Sequence, residues 1–166
     1  DVAFRRLGPV LAECTVVIGG VLLILGVALG FTSYLVDAEV PMRLLDWSEA
    51  NLGSRWAFLL VLNLLLLVVG CLMDIFSAIA VVVPLIAPLG LAFGVDPVHL
   101  GIIFIGNLEL GFLTPPVGVN LFLASYRFEK PMTEVTRAVL PFLAVLGAGV
   151  LAITYLPWLT TVFLDR

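Results

Sequence analysis

The chain is 166 residues long, with 62% hydrophobic and 12% charged residues and a mean hydropathy of +1.22, which excludes a soluble domain and identifies an integral membrane protein. Its formal charge of −4 sets 12 Asp and Glu against 8 Lys and Arg, and those cations are scattered among loops, which excludes a nucleic-acid partner. In such a chain the placement of Lys and Arg says more than their sum.

The first apolar run follows Arg5 and Arg6, and it stays uncharged from Cys14 to Val36. That is longer than the ~7–15 residues of a signal-peptide core, and no small-residue cleavage site follows, so residues 1–36 are expected to be a spanning helix. Glu13 lies near its cytoplasmic end, and Gly26 and Gly30 form a GxxxG spacing suited to close helix packing. The chain starts with Asp rather than Met and is expected to be a piece of a larger membrane protein. Residues 37–55 set Val40, Leu44, Leu45 and Trp47 among charges, the pattern of an amphipathic segment lying at the interface.

Residues 56–94 contain two uncharged runs, one from Arg55 to Asp74 with Asn63 inside it and one from Asp74 to Asp96. Each is near the ~20 residues of a crossing, so two ordinary spans fit. A re-entrant helical hairpin turning at Gly70-Cys71-Leu72-Met73-Asp74 fits as well. Its tip would lie at membrane depth, where a carboxylate must face protein, water or an ion.

Residues 98–126 form an apolar element with Pro115 and Pro116 at its centre. Each proline lacks an N–H and fixes φ, so the helix is expected to break over 114–118 and leave carbonyls without intrahelical partners. Such backbone is tolerated in a membrane only inside protein or along a water-filled cavity, and broken helices of this kind form transport sites. A last spanning helix is expected over 132–160, ending near Pro157.

Because 56–94 begins and ends on one side in either reading, Arg5, Arg6, Arg127, Lys130 and Arg137 share a face opposite Arg43, Arg55 and Arg166. The positive-inside rule makes the first group cytoplasmic and the C-terminus periplasmic. It does not choose between the hairpin and two crossings; only the Gly70–Asp74 break argues for re-entry. Cys14 and Cys71 lie in apolar surroundings without a CxxC spacing and are read as buried thiols. His99, alone in the chain, follows Asp96-Pro97 and is read as a solvated helix-start residue rather than a metal ligand.

From Gly70 to Pro157 the chain resembles the C-terminal half of the large membrane subunit of the tripartite ATP-independent periplasmic (TRAP) transporters. The resemblance rests on Gly70-Cys71-Leu72-Met73-Asp74, on Val83-Pro84 with Pro88, on Gly94-Val95-Asp96-Pro97-Val98-His99, and above all on Leu113-Thr114-Pro115-Pro116-Val117-Gly118-Val119-Asn120-Leu121. It implies an all-α membrane protein of the bacterial inner membrane, one of two inverted repeats of an elevator-type secondary transporter, with a re-entrant helical hairpin followed by a discontinuous helix. It also implies sodium as coupling ion, no other cofactor, and an organic acid as cargo. The implied partners are the first repeat, a small TRAP membrane subunit and a periplasmic solute-binding protein. The positions it carries to the ion site are Gly70, Met73 and Asp74 at the hairpin tip, and Gly111, Thr114, Pro115, Pro116, Gly118 and Asn120 at the break.

The chemistry of these residues agrees with sodium, a hard ion that takes oxygen ligands, since freed carbonyls, the Thr114 hydroxyl and the Asn120 amide all supply oxygen. Each has a plainer alternative: Asn120 as a helix cap, Thr114 bonding back to its own helix, and Asp74 capping the second hairpin arm near Phe76 and Ser77. Glu109 is either functional or an interhelical pairing group, and Asn107 shares a helix face with Gly111. A proton-coupled carrier using Asp74 or Glu109 is the nearest rival. An intramembrane enzyme working through those two carboxylates lacks any Ser-His pair, metal cluster or phosphate loop to support it.

Overall fold

A computed structural model of the chain describes residues 7–162, and every regular element among them is an α-helix. In chain order these are α1 (Leu7–Asp37), α2 (Val40–Asn51), α3 (Arg55–Leu72), α4 (Ile75–Ala92), α5 (Pro97–Phe112), α6 (Val119–Phe128), α7 (Met132–Tyr155) and α8 (Trp158–Thr161). Arg5, Arg6, Asp165 and Arg166, on which the orientation in the membrane partly rests, lie outside the described residues.

The helix starts follow from local chemistry. Ser54 caps α3 by accepting from Ala57 N, Asp74 caps α4, and Asp96 caps α5 by accepting from Val98 N with Pro97 in the first turn. Inside α4, Pro84 has no N–H to offer the Ala80 carbonyl one turn earlier. The Thr32 hydroxyl of α1 donates to that carbonyl at 2.7 Å, so a proline defect in one apolar helix becomes a fastening point for another. The last long helix stops at Tyr155, and α8 resumes after Pro157 as a single short turn.

α1, α3, α4 and α7 are long and apolar enough to cross a membrane, while the apolar α5 is shorter. Only 6% of the most apolar stretch of α1 and of α7 is buried within the chain, against 39% in α3, which makes α3 the central helix. Its Leu59, Leu62 and Leu66 pack with Ala78, Val82 and Ile86 of α4 and with Ile103, Phe104 and Leu108 of α5. The exposed Leu, Val and Phe side chains of α1 and α7 suit a hydrocarbon surrounding. Of the two thiols, Cys71 is buried as expected, but Cys14 is exposed on α1.

Three contacts set the topology. Phe58, at the start of α3, stacks on Phe93, just after α4, with ring centroids 4.5 Å apart, so these two helices run antiparallel and their open ends meet. α3 and α5 run parallel, with Asn63 beside Asn107 and Gly70 beside Leu108 and Gly111. α7 runs antiparallel to α5, placing Thr154 by His99, Val150 over Gly106 and Gly147 under Leu110. Its opening turns at Val135 and Ala138 share a groove with Ala124 and Phe128 of α6.

The segment α5, break and α6 is thus laid end to end along the single continuous α7. Gly147, level with Leu110, lies about 22 Å from the start of α7 and about 12 Å from its end at ~1.5 Å per residue. The turn between α3 and α4, beyond Gly70, therefore sits at the middle of α7 rather than at either end.

Candidate functional site

The first interruption of the apolar path is the two-residue turn Met73–Asp74. Met73 is extended, and its N–H still bonds the Val69 carbonyl at 2.8 Å. Asp74 Oδ1 accepts from Phe76 N at 2.9 Å and Ser77 N at 3.1 Å, and Oδ2 accepts from the Ser77 hydroxyl at 2.6 Å. Both carboxylate oxygens are engaged in starting α4, a charge-assisted cap. The side chain is exposed at the tip.

The second interruption, between α5 and α6, is built differently. Leu113 and Thr114 close a tight last turn through their N–H groups to the Leu110 and Gly111 carbonyls, and the Thr114 hydroxyl bonds back to the Leu110 carbonyl at 2.7 Å. Beyond that turn, Pro115 and Pro116, joined by a cis peptide bond, have no N–H to give. No N–H among the described residues reaches the carbonyls of Phe112, Leu113, Thr114, Pro115, Pro116 or Val117. Gly118 then starts α6 at φ 50° without a side-chain cap, and a Cβ there would stand 2.9 Å from the Thr114 carbonyl oxygen. Glycine suits both the left-handed backbone and the contact. Asn120 is half-buried in the first turn of α6.

The two interruptions meet through glycine. A Cβ on Gly111 would fall 2.6 Å from Gly70 Cα and C and 2.8 Å from Cys71 N, while one on Gly70 would fall 3.0 Å from Leu108 Cα and O. Backbone touches backbone here, which only small residues allow. Since α3 and α5 are parallel, their C-terminal ends lie side by side, with the hairpin tip and the Pro-Pro break just beyond. Of the nine positions singled out in the sequence, Gly70 and Gly111 are in direct contact, Met73 and Asp74 follow the first, and Thr114, Pro115, Pro116, Gly118 and Asn120 follow the second.

A buried polar chain, not anticipated as a unit, runs from this contact toward the other end of α5. Asn63 Oδ1 accepts from Asn107 Nδ2 at 2.7 Å and from the Thr154 hydroxyl at 3.1 Å. His99 has none of its surface exposed, contrary to the solvated position expected for it. Its Nε2 lies 3.2 Å from the Thr154 carbonyl and its Nδ1 2.7 Å from the Thr160 hydroxyl. The short α8 closes over the ring, which is why the Asp96-Pro97 start does not leave it in solvent. The available signal was spacing: His99, Asn107 and Gly111 recur on α5 at multiples of four, and Asn63 and Gly70 lie two turns apart on α3. Glu109 is off this stripe and exposed. No group of three or more His, Cys, Asp or Glu able to hold a metal occurs among the described residues.

Residues 1–159 match the family model described as tripartite ATP-independent periplasmic transporter, DctM component. The chain is 38% identical over 130 residues to the C4-dicarboxylate TRAP transporter large permease protein DctM of Pseudomonas aeruginosa, covering 78% of this chain and 30% of that protein. It is 39% identical over 152 residues to the isethionate TRAP transporter permease protein DctMQ of Oleidesulfovibrio alaskensis, covering 87% and 24%. It is 33% identical over 139 residues to the sialic acid TRAP transporter large permease protein SiaM of Vibrio cholerae, covering 84% and 32%. The chain thus spans at most about a third of the length of these relatives.

Proposed function

Because the chain belongs to the DctM component of the tripartite ATP-independent periplasmic transporters, we propose that it supplies one ion-binding repeat of a sodium-coupled permease that imports an organic acid. The family consists of transporters, which sets aside the intramembrane enzyme. The cargo class follows the relatives, whose names give a C4-dicarboxylate, isethionate and a sialic acid, all organic acids. Delivery falls to a periplasmic solute-binding protein, and the permease works with a first repeat and a small membrane subunit in the bacterial inner membrane.

What carries the sodium reading is the meeting of two helix C-termini at Gly70–Gly111. Each C-terminus holds roughly half a negative charge, and the carbonyls of residues 112–117 receive no N–H among the described residues. Converging negative ends and unwound carbonyls complement a cation, and an all-oxygen donor set favours a hard one. The ion site then lies between the tip at Gly70, Met73 and Asp74, where Asp74 acts as the cap, and the break at Gly111, Thr114, Pro115, Pro116, Gly118 and Asn120. Its oxygens are drawn from the open carbonyls, the Thr114 hydroxyl and the Asn120 amide. A proton carrier needs a free carboxylate in the same place. Asp74 has both oxygens committed to its cap, and Glu109 is exposed away from the contact.

The level of the turn supports the re-entrant reading of 56–94. A turn at the middle of α7, itself long enough to span, leaves α3 and α4 as arms that enter and return rather than two full crossings. In this arrangement 1–36 and 132–160 are the spanning helices, 37–55 lies at the interface, 98–126 is the discontinuous helix, and the C-terminus is periplasmic.

Uptake into proteoliposomes containing the complete permease, its small subunit and its binding protein tests the coupling ion. An inward sodium gradient at symmetric pH should drive accumulation, and a proton gradient of equal size without sodium should not. Accumulation that follows protons and ignores sodium would overturn the assignment.

A further inference from the structure

We infer that the Asn63–Asn107–Thr154 cluster is a positioning node for the ion site, an inference that rests on the sodium reading above. Three helices send one polar side chain each to a single point: Asn63 Oδ1 of α3 accepts from Asn107 Nδ2 of α5 and from the hydroxyl of Thr154 on α7. All three residues are buried. The two amides are also anchored to their own helices, Asn63 Nδ2 on the Leu59 carbonyl at 2.6 Å and Asn107 Nδ2 on the Ile103 carbonyl at 2.9 Å, while the Thr154 hydroxyl shares its one proton between Asn63 Oδ1 and the Val150 carbonyl at 2.8 Å. The two asparagine rotamers are therefore fixed from both sides, with Thr154 held at the edge of the cluster by its shared proton.

Its place on the helices gives it leverage. Asn63 precedes Gly70 by two turns of α3, and Asn107 precedes Gly111 by one turn of α5, on the same helix faces. The glycine contact tolerates no Cβ, so rotating or sliding either helix would separate the backbones at Gly70 and Gly111 or drive a neighbouring side chain between them. In a membrane, apolar side chains gain little from choosing one partner helix over lipid. Packing of Leu59, Leu66 and Leu108 therefore holds α3 near α5 without strongly selecting its rotation. Directional bonds do select it. The node thereby sets the approach of the hairpin tip to the Pro-Pro break, and Thr154 ties both helices to α7, against which α5 and α6 are aligned. Asn63, Asn107 and Thr154 are positioning residues, and none is placed as an ion ligand.

The test uses the complete permease in proteoliposomes with its partners, carrying Asn107→Leu, Thr154→Val or Thr154→Ser. Two quantities are read: the sodium concentration for half-maximal uptake, and the spread of distances, measured without sodium, between spin labels on Leu72→Cys and Val117→Cys in a Cys14→Ala background. Leu72 and Val117 are exposed and flank the two interruptions. Asn107→Leu should raise half-saturating sodium five- to twentyfold and broaden the distance distribution. Thr154→Val, at the edge of the node, should do the same two- to fivefold, and it carries the test alone if Asn107→Leu does not insert. Thr154→Ser, which keeps the hydroxyl, should restore both readings to wild type. A reduced maximal rate with unchanged half-saturation and an unchanged distance spread would show a merely structural cluster and overturn the proposal. Should wild-type uptake ignore sodium altogether, the ion assignment fails by itself; the label distances then decide the node, an unbroadened distribution overturning it.

Discussion

At Met73–Asp74 the side chain of the turn is engaged at the new helix start: both carboxylate oxygens of Asp74 hold α4, and the Met73 N–H closes the last bond of α3, while the carbonyls of Gly70, Cys71, Leu72 and Met73 receive no N–H among the described residues. Around Thr114–Gly118 the open stretch is longer and the side-chain cap is missing. Six successive carbonyls, those of residues 112–117, receive no N–H among the described residues, two prolines donate none, and α6 starts on a glycine without a side-chain cap. The comparison separates a turn pinned by a carboxylate cap from an uncapped turn with the longer run of open oxygens. A cation site between them draws its position from the first and most of its open donors from the second.

The largest effect is expected where the two turns touch. Gly111→Val places a branched side chain where even a Cβ would lie 2.6 Å from the Gly70 backbone, and overpacking of this kind costs about 1–3 kcal/mol or more. Uptake per inserted permease should fall at least a hundredfold. Gly101→Val on the same helix, where a Cβ meets nothing within 4 Å, should leave uptake near wild type. Equal loss in the two variants would mean that the α3–α5 contact has no special role.

A smaller effect sharpens the contrast from the other side. Asp74→Ala removes the cap of α4 and should lower the stability of the purified permease by about 1 kcal/mol, read by thermal unfolding, whereas Asp74→Asn, which still caps, should lose only a fraction of that. Half-saturating sodium in Asp74→Asn should stay within about threefold of wild type. A shift beyond about tenfold, on the order of 1.4 kcal/mol, would move Asp74 from cap to direct ligand and weaken the division of labour between the turns.

Much of this arrangement is legible in the residues. The Pro115-Pro116 pair announces its break because proline chemistry is local, and Asp74 followed by Ser77 announces a cap for the same reason. Gly70 and Gly111 stand out as small residues, but nothing in either segment says that each is the other's neighbour, since the contact depends on α3 and α5 running parallel. The polar node is hidden for that reason too: Asn63, Asn107 and Thr154 come from three separate apolar runs, and each alone looks like a tolerated polar residue. His99 misleads because its helix-start position is shared by many solvated histidines, and only α8, folding back after Pro157, buries it.

The central claim, that the Thr114–Gly118 break presents carbonyls to sodium, is tested most directly by Pro115→Ala combined with Pro116→Ala. Restored N–H groups let α5 extend, so the Phe112 carbonyl gains an intrahelical bond from residue 116, the Gly111 carbonyl exchanges its tight-turn bond from Thr114 for a regular one from residue 115, and the open carbonyls of the break withdraw from the site. Uptake against sodium concentration in proteoliposomes of the complete transporter should show half-saturating sodium raised more than tenfold, with membrane insertion intact. Wild-type sodium dependence in the double-alanine protein would contradict the account, leaving the proline pair a packing kink and the ion site elsewhere.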